Sequence, residues 1–243
     1  MTVLRVPGEG LVEGERPLPK ETTKYLVDVR RLEIGARFIL FDPEARIECD
    51  ATLEGTGKDA RALLGPPRPS TAIPARQATI IQCVGKADKL DSVVRDATEL
   101  GATAILPAIS ERSIAKRSSD SATLRLKRVA IEAARQCGRG DVPRLAEPQP
   151  LESLLNDVDA DVRIVLHPSS DAPIGALLSH PAPSYAFLVG PEGGLSDAEL
   201  AGAEARGFRR ARLGRFTLRT ETVAAAILGA LAAFAERSGG ETL

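Results

Sequence analysis

Two short apolar runs limit the folds that are available to this chain. Residues 162–166 and 185–189 are almost continuously apolar, as strands are when both faces of their sheet are covered. Similar runs at 78–84 and 103–109 alternate with helix-like segments at 89–100 and 123–137. This rhythm predicts an α/β fold with a mostly parallel sheet, which binds ligands at the carboxyl ends of its strands.

A proline-rich segment separates this region from a different N-terminal one. Residues 65–74 contain four prolines, which favour an extended, semi-rigid connector. Before it, residues 37–41 and 46–53 have strand character, and the second run alternates polar and apolar residues. We therefore predict a small β-rich domain in residues 1–70 and an α/β domain in residues 76–243.

Composition argues against several classes of protein. Cys49, Cys83 and Cys137 lie far apart in the sequence and form no CxxC pair, so neither a disulfide scaffold nor a zinc ribbon is expected. His167 and His180 are the only histidines, and we predict no metal site. The net charge of −1 means that any RNA-binding surface must come from local clusters of basic residues. Two such clusters occur: Arg206, Arg209, Arg210, Arg212, Arg215 and Arg219, and Arg112, Lys116 and Arg117.

No segment has the pattern of a signal peptide or a membrane span. The N-terminal residues lack a long apolar core, and the longest apolar run, 223–235, is shorter than the roughly 20 residues that cross a bilayer. We expect a cytoplasmic protein with no membrane partner.

Three loops follow apolar runs near the C-terminal end and carry the best candidates for chemistry. They are His167-Pro168, Gly190 to Gly194, and Gly214 to Thr222. Glycines let backbone N–H groups approach a ligand closely, although Gly193-Gly194 also suits an ordinary strand-to-helix turn. The chain has no GxGxxG and no GxxxxGK[ST] motif, so a nucleotide-dependent enzyme on a doubly wound sheet lacks its expected fingerprint.

The third loop ends in four polar residues, Arg219 to Thr222, just before a helix that is apolar on nearly every side. Such a helix must be buried in the core or against another chain. Thr220 could cap this helix, with Arg219 and Glu221 as a solvated pair, or the group could serve a ligand. Arg139 follows the helix at 123–137 and could bind phosphate or a base edge, or interact with the helix C-terminus.

Taken together, the short motifs resemble a known family. Residues 187–196, 213–214 and 218–222, with 97–101, 110–113 and 136–139 before them, are similar to the RsmE-type 16S rRNA (uracil-N3)-methyltransferases of the SPOUT superfamily. The resemblance covers about residues 78–235. It implies methylation of N3 of a uridine in 16S rRNA of the 30S ribosomal subunit, with S-adenosyl-L-methionine (SAM) as methyl donor.

The same resemblance implies an architecture and a set of site residues. It implies a trefoil-knotted SPOUT domain after a PUA-like β-barrel that binds RNA, and a homodimer through the C-terminal helix region. The expected cofactor-binding residues are Leu166, His167, Gly190, Pro191, Glu192, Gly193, Gly194, Leu213, Gly214, Leu218, Arg219, Thr220 and Thr222. The expected catalytic residues are Arg139 or Arg219, donating to a uracil carbonyl, and Glu221 as proton acceptor.

The chain departs from the family pattern at positions that would face RNA. Arg135 stands where an acid is usual, and Asp96 where a lysine is usual. Two alternatives therefore remain: a SPOUT paralogue that methylates another rRNA or tRNA position, and a catalytically silent RNA-binding or ribosome-assembly protein.

Overall fold

The structure, a computed structural model, describes residues 3–85, 89–113 and 120–237. Contacts divide the chain into two compact units, Met1–Ile73 with Ala134–Val142, and Pro74–Ala133 with Pro143–Leu243. The predicted division differs from this one at residues 134–142, because that segment groups with the first unit.

The first unit is built on a mixed β-sheet. Its strands are β1 (Arg5–Pro7), β2 (Gly14–Pro17), β3 (Arg37–Asp42), β4 (Ile47–Leu53), β5 (Arg61–Leu64) and β6 (Arg68–Pro69), with α1 (Lys20–Thr23) continuing as a π-helix over Lys24–Val29 and a 3₁₀ turn at Gly57–Asp59. The strand order is β1-β3-β4-β5-β2, and β6 pairs with β4. Alternating side chains of β3, β4 and β5 fill a core that contains Phe38, Leu40, Ala51 and Leu64.

The proline-rich segment is extended, as predicted, but it is not a separate connector. Arg68 and Pro69 pair with Glu48 and Ile47 of β4, and the backbone N–H of Ser70 donates to the Arg46 carbonyl at 2.9 Å. Proline is tolerated here because β6 lies off the main strand path, where fewer ladder hydrogen bonds are required. Residues 65–73 of this segment therefore belong to the first unit.

The second unit alternates strands and helices. Its strands are β7 (Gln77–Cys83), β8 (Ala104–Ile109), β9 (Arg144–Leu145), β10 (Gln149–Pro150), β11 (Val162–Leu166), β12 (Ser184–Val189) and β13 (Arg209–Ala211). Its helices are α2 (Lys89–Glu99), α3 (Asp120–Cys137), whose last residues belong to the first unit, α4 (Leu151–Asp157), α5 (Ile174–Leu178), α6 (Asp197–Ala205) and α7 (Thr220–Arg237).

The strands of the second unit form a parallel sheet in the order β10-β8-β7-β12-β11-β13, with β9 beside β8. The predicted mixed α/β fold with a parallel sheet is thus confirmed. The apolar runs of β7, β11 and β12 are central, and Ile81, Val165 and Leu188 are buried in one core cluster. Helices α4 and α5 were not predicted, since each has only one or two turns and too few residues to show a helical period.

Helix starts and ends follow the sequence signals closely. Ser196 caps α6 through a complete capping box: its Oγ accepts from the Glu199 backbone N–H at 3.3 Å, and the Glu199 carboxylate accepts from the Ser196 N–H at 2.9 Å. Helix α7 begins at Thr220, as predicted. Its buried face is formed by Ala224, Ile227, Leu228 and Leu231, so the apolar composition reflects burial on one side.

Candidate functional site

The carboxyl ends of three neighbouring strands bring the predicted loops together. In register, Leu166 of β11 lies beside Val189 of β12 and Ala211 of β13. The strands are parallel, so the loops that follow them leave the sheet at one edge and at the same level. The His167 N–H donates to the Ala211 carbonyl at 2.9 Å, which fixes the first loop against the third.

These loops enclose a pocket of about 350 Å³, within the range of small-molecule sites. Most of the predicted cofactor residues line it, namely Leu166, His167, Gly190, Pro191, Glu192, Gly194, Leu213, Gly214, Leu218, Arg219 and Thr220. The lining also includes residues that were not among the expected cofactor-binding residues: Lys89, Pro168, Val189, Leu195, Arg212, Arg215, Phe216, Thr217 and Val223. Glycines, apolar residues and charged residues thus line one cavity.

Two glycine positions explain the shape of the second loop. Gly194 has a φ of +71°, which side chains rarely adopt, and its N–H closes a turn onto the Pro191 carbonyl at 2.9 Å. A Cβ on Gly190 would lie 3.2 Å from Cγ of Leu195. Larger residues at these two positions would therefore reshape the pocket wall.

Gly193 and Thr222 were predicted to bind the cofactor, but neither lines the pocket. The Gly193 carbonyl instead accepts from Nη1 of Arg112 at 2.9 Å. Thr222 lies on an exposed part of the first turn of α7.

The segment 110–113 contacts the region of the glycine loop, because the Glu199 carboxylate accepts from the Glu111 N–H at 2.7 Å. That family-like motif therefore supports the glycine loop.

An ion triad joins three elements beside the pocket. Nζ of Lys89, at the start of α2, lies 3.0 Å from a carboxylate oxygen of Glu192 and 3.2 Å from one of Glu221. The sequence did not reveal Lys89, because it lies about a hundred residues before its two partners. One feature of its position points to the site: Lys89 follows β7, and β7 pairs with β12, the strand that precedes Glu192.

The triad holds both glutamates in the charged form. The hydrogen bond from Lys89 lowers the pKa of Glu192. The pKa of Glu221 is lowered first by its own backbone N–H, at the helix N-terminus, and further by Lys89. The two carboxylates in turn raise the pKa of Lys89. The group therefore carries one net negative charge near neutral pH.

Gly85 leaves room for the triad, because a Cβ at this position would lie 2.6 Å from the Glu192 carboxylate.

Comparison with known proteins identifies the family. Residues 72–232 match the RNA methyltransferase domain family. The ribosomal RNA small subunit methyltransferase E of Mycobacterium bovis is 32% identical over 88% of this chain and 84% of its own length, and that of Aquifex aeolicus is 34% identical over 68% and 72%. The protein belongs to this RNA methyltransferase family. The corresponding Neisseria gonorrhoeae structure, bound to S-adenosyl methionine, superposes with a TM-score of 0.85 at 28% identity and covers 95% of this chain and 97% of that one.

The two arginines predicted to act in this methyltransferase have different surroundings. Arg219 lines the pocket and is exposed, and among the described residues its side chain has no hydrogen bond or ion pair. Arg139 belongs to the first unit and is 7% exposed. Its Nε donates to Oδ1 of Asp141 at 2.6 Å. The catalytic role of Arg139 stays a prediction, while its burial and partner indicate a structural one.

Arg139 lies among other buried charged residues. Arg5 pairs with Glu48, whose carboxylate also accepts from Ser70 at 2.8 Å. Burial alone would raise the pKa of Glu48, but the hydrogen bonds from Arg5 and Ser70 outweigh burial and lower it. Gly140 permits the close packing here, because a Cβ would lie 1.8 Å from Oγ of Ser70. We call Arg5, Glu48, Ser70, Arg139 and Asp141 the buried polar cluster.

The departures from the family pattern also have local partners. The Arg135 guanidinium lies over the Tyr25 ring at 3.8 Å, a cation–π contact within the first unit. Asp96 accepts from its neighbour Arg95 at 2.8 Å. Each departure therefore has a contact within the chain.

The predicted basic clusters divide into paired and unpaired members. Arg206 donates to Asn156, Arg210 pairs with Glu204, and Arg212 donates to the carbonyls of Ser170 and Asp171. Side chains without such a bond among the described residues are Arg209, Arg215 and Arg219. In the second cluster, Lys116 and Arg117 lie outside the described residues.

In residues 3–85, 89–113 and 120–237, no helix is both long and apolar enough to cross a membrane. No group of three or more His, Cys, Asp or Glu side chains in them is placed to hold a metal ion.

Proposed function

We propose that this protein transfers a methyl group from SAM to N3 of a uridine in 16S rRNA of the small ribosomal subunit. The observation that carries this proposal is the pocket at the carboxyl edge of β11, β12 and β13, in a chain that belongs to the RNA methyltransferase family. Relatives named ribosomal RNA small subunit methyltransferase E support the choice of RNA.

The pocket residues suit the chemical groups of SAM. Leu166, Val189, Leu195 and Val223 provide an apolar wall for an adenine ring, and backbone N–H and C=O groups around Gly190 suit its polar edge. The negative charge of the Lys89–Glu192–Glu221 triad favours a cationic ligand. When bound, SAM supplies a methyl group made electrophilic by its positively charged sulfur.

Three tasks fall to the residues of the protein. The loops must hold N3 in line with the methyl group, and alignment alone is worth several kcal/mol. The proton on N3 must leave, and Arg219 is placed to donate hydrogen bonds to a uracil carbonyl and so to stabilise the developing negative charge. Water must be kept from the reacting atoms, and we assign this task to the apolar wall together with the bound RNA.

Glu221 is the proposed proton acceptor, but its surroundings limit that role. Its pKa is lowered, first by its own backbone N–H and then by Lys89, and a weaker base accepts a proton less readily. We therefore assign the larger contribution to Arg219. We propose that Arg139 stabilises the turn at residues 138–141, as its ion pair with Asp141 indicates.

We further propose that the second unit contains a SPOUT trefoil knot and that the first is a PUA-like barrel that binds RNA. We propose a homodimer through the C-terminal helix region. Its basis is the row of small residues on α7 that stays partly exposed, including Ala225, Ala226 and Gly229. Light scattering after size-exclusion chromatography tests the dimer, and a monomer mass at micromolar concentration would refute it.

The function is tested by transfer of labelled methyl from SAM to 30S subunits, free 16S rRNA and tRNA, all from cells that lack this activity. Nucleoside mass spectrometry then identifies the product. We expect N3-methyluridine from 16S rRNA. Label on another RNA would identify a paralogue with a different target. If neither methyl transfer nor SAM binding were detected, a silent binding protein would be the better description.

A further inference from the structure

One aromatic side chain stands apart from the others in this chain. Phe38, Phe41, Phe187 and Phe208 are at most 2% exposed, whereas Phe216 is 79% exposed. Single exposed apolar residues are common, but Phe216 also lines the pocket. Its ring therefore lies at the pocket rim, with most of its surface open to solvent.

The neighbours of Phe216 add positive charge to this rim. Arg215 and Arg219 are both exposed and both line the pocket. Among the described residues, neither side chain has a hydrogen bond or ion pair. By contrast, Arg206, Arg210 and Arg212 are all bonded within the second unit. Of the three arginines of this cluster without such a bond, Arg215 and Arg219 therefore line the same pocket as the exposed ring, and Arg209 does not.

The chemistry of the proposed reaction requires such a surface. N3 lies on the Watson–Crick edge of uracil, so a paired and stacked uridine cannot present it, and the base must leave its helix. Enzymes hold extruded or single-stranded bases by stacking them on aromatic side chains, while arginines contact the phosphates.

We propose that Phe216 is a stacking platform for a nucleobase of the substrate RNA, with Arg215 as the contact to its phosphates, while Arg219 keeps the proposed role of donor to the uracil carbonyl. The inference rests on the proposed function and deepens it, because it names the side chain that receives the RNA at the pocket. Phe216 contacts the RNA through its flat face, so another aromatic residue can replace it and an aliphatic residue of similar size cannot.

The test compares Phe216→Ala, Phe216→Leu and Phe216→Tyr in methyl transfer to 30S subunits. Loss of one base–aromatic stack weakens binding roughly 5- to 150-fold. We expect the KM for 30S subunits to rise by this factor in the alanine and leucine variants and to stay near the wild-type value in the tyrosine variant. The Kd for SAM, measured by calorimetry, separates the two ligands, because a rise in the KM for 30S subunits that is larger than the rise in this Kd assigns the loss to RNA. A leucine variant with wild-type KM would overturn the proposal.

A second measurement does not depend on catalysis. The chain has no tryptophan and two tyrosines, so Phe216→Trp introduces a single tryptophan at the pocket rim, which can be excited selectively at the red edge of its absorption. Stacking on a short single-stranded RNA that contains uridine should quench its emission. Leu124→Trp, at an exposed position of α3 that does not line the pocket, is the control and should respond little. Equal responses of the two variants would overturn the proposal.

The outcomes separate this inference from the function on which it rests. If the wild type methylates 16S rRNA and the leucine variant has the wild-type KM, the stacking role of Phe216 is refuted and the proposed function stands. If the wild type transfers no methyl group, the proposed function is refuted. Quenching of the Phe216→Trp emission by RNA then tests the stacking role without any need for catalysis. Emission that shifts with protein concentration in the absence of RNA would instead show that a second copy of the chain covers Phe216.

Discussion

The two arginines predicted to be catalytic differ in almost every physical respect. Arg219 lies in an exposed loop at the pocket, and none of its side-chain hydrogen-bonding groups has a partner among the described residues. Arg139 is buried beside Asp141, in the buried polar cluster of the first unit. Both lie close to a glycine and to a helix end in the sequence. The difference shows that burial and pairing, which short motifs do not report, separate an arginine available to a ligand from one that stabilises the fold.

Replacement of Arg139 should have the largest effect, and the effect should be on stability. Arg139→Ala leaves the nearly buried Asp141 carboxylate without its closest partner, at a cost of roughly 3–5 kcal/mol. We expect the lower end of this range, because Arg46 remains 3.7 Å from Asp141. Urea unfolding measures the loss.

The matched control is Arg95→Ala, which breaks the exposed pair with Asp96 and should change stability by less than about 1 kcal/mol. If Arg139→Ala kept full stability and lost turnover, the catalytic role of Arg139 would be supported and the structural one refuted.

Replacement of Arg219 should show the opposite pattern. Arg219→Ala removes a donor that is used when charge develops on uracil, and such a loss lowers kcat roughly 100- to 1000-fold. The urea midpoint should stay unchanged, because no described residue depends on this side chain. Arg209→Ala, another exposed and unpaired arginine, is the control and should retain kcat. Full turnover in both Arg219→Ala and Arg139→Ala would refute the catalytic scheme.

Replacement of Lys89 should have the smallest effect, a shift in the pH dependence of SAM binding. Lys89→Met removes the cation that lowers the pKa of Glu192 and contributes to the low pKa of Glu221. Both pKa values should move upward. Since a carboxylate with a depressed pKa keeps its charge until the pH falls through that pKa, the variant should lose SAM affinity at a higher pH than the wild type does.

Calorimetric titration with SAM at several pH values between 4 and 8 gives the SAM affinity as a function of pH. The pH at which this affinity falls on the acid side should be higher in the variant. Lys89→Arg, which keeps the charge, should restore the wild-type profile. If Lys89→Met lost SAM affinity at the same pH as the wild type, the triad would not control the pH dependence of SAM binding.

The sequence alone determined much of the second unit. Apolar runs and capping residues predicted β11, β12, α6 and α7 closely, because both the strand period and the helix cap are local properties. Once the strands are parallel, the loops after β11, β12 and β13 must meet at one edge of the sheet. The predicted glycine loop, apart from Gly193, and the residues from Leu213 to Thr220 therefore line one pocket.

Only the tertiary structure decided the rest. Lys89 reaches Glu192 and Glu221 across about a hundred residues or more. Residues 134–142 join the first unit, although they comprise the end of helix α3, which begins in the second unit, and the turn after it. Exposure, too, is set by the fold: nothing local separates Phe216 from Phe208, yet one lies at a pocket rim and the other in the core. Periodicity and caps depend on neighbours in the chain, whereas ion pairs, burial and exposure depend on neighbours in space.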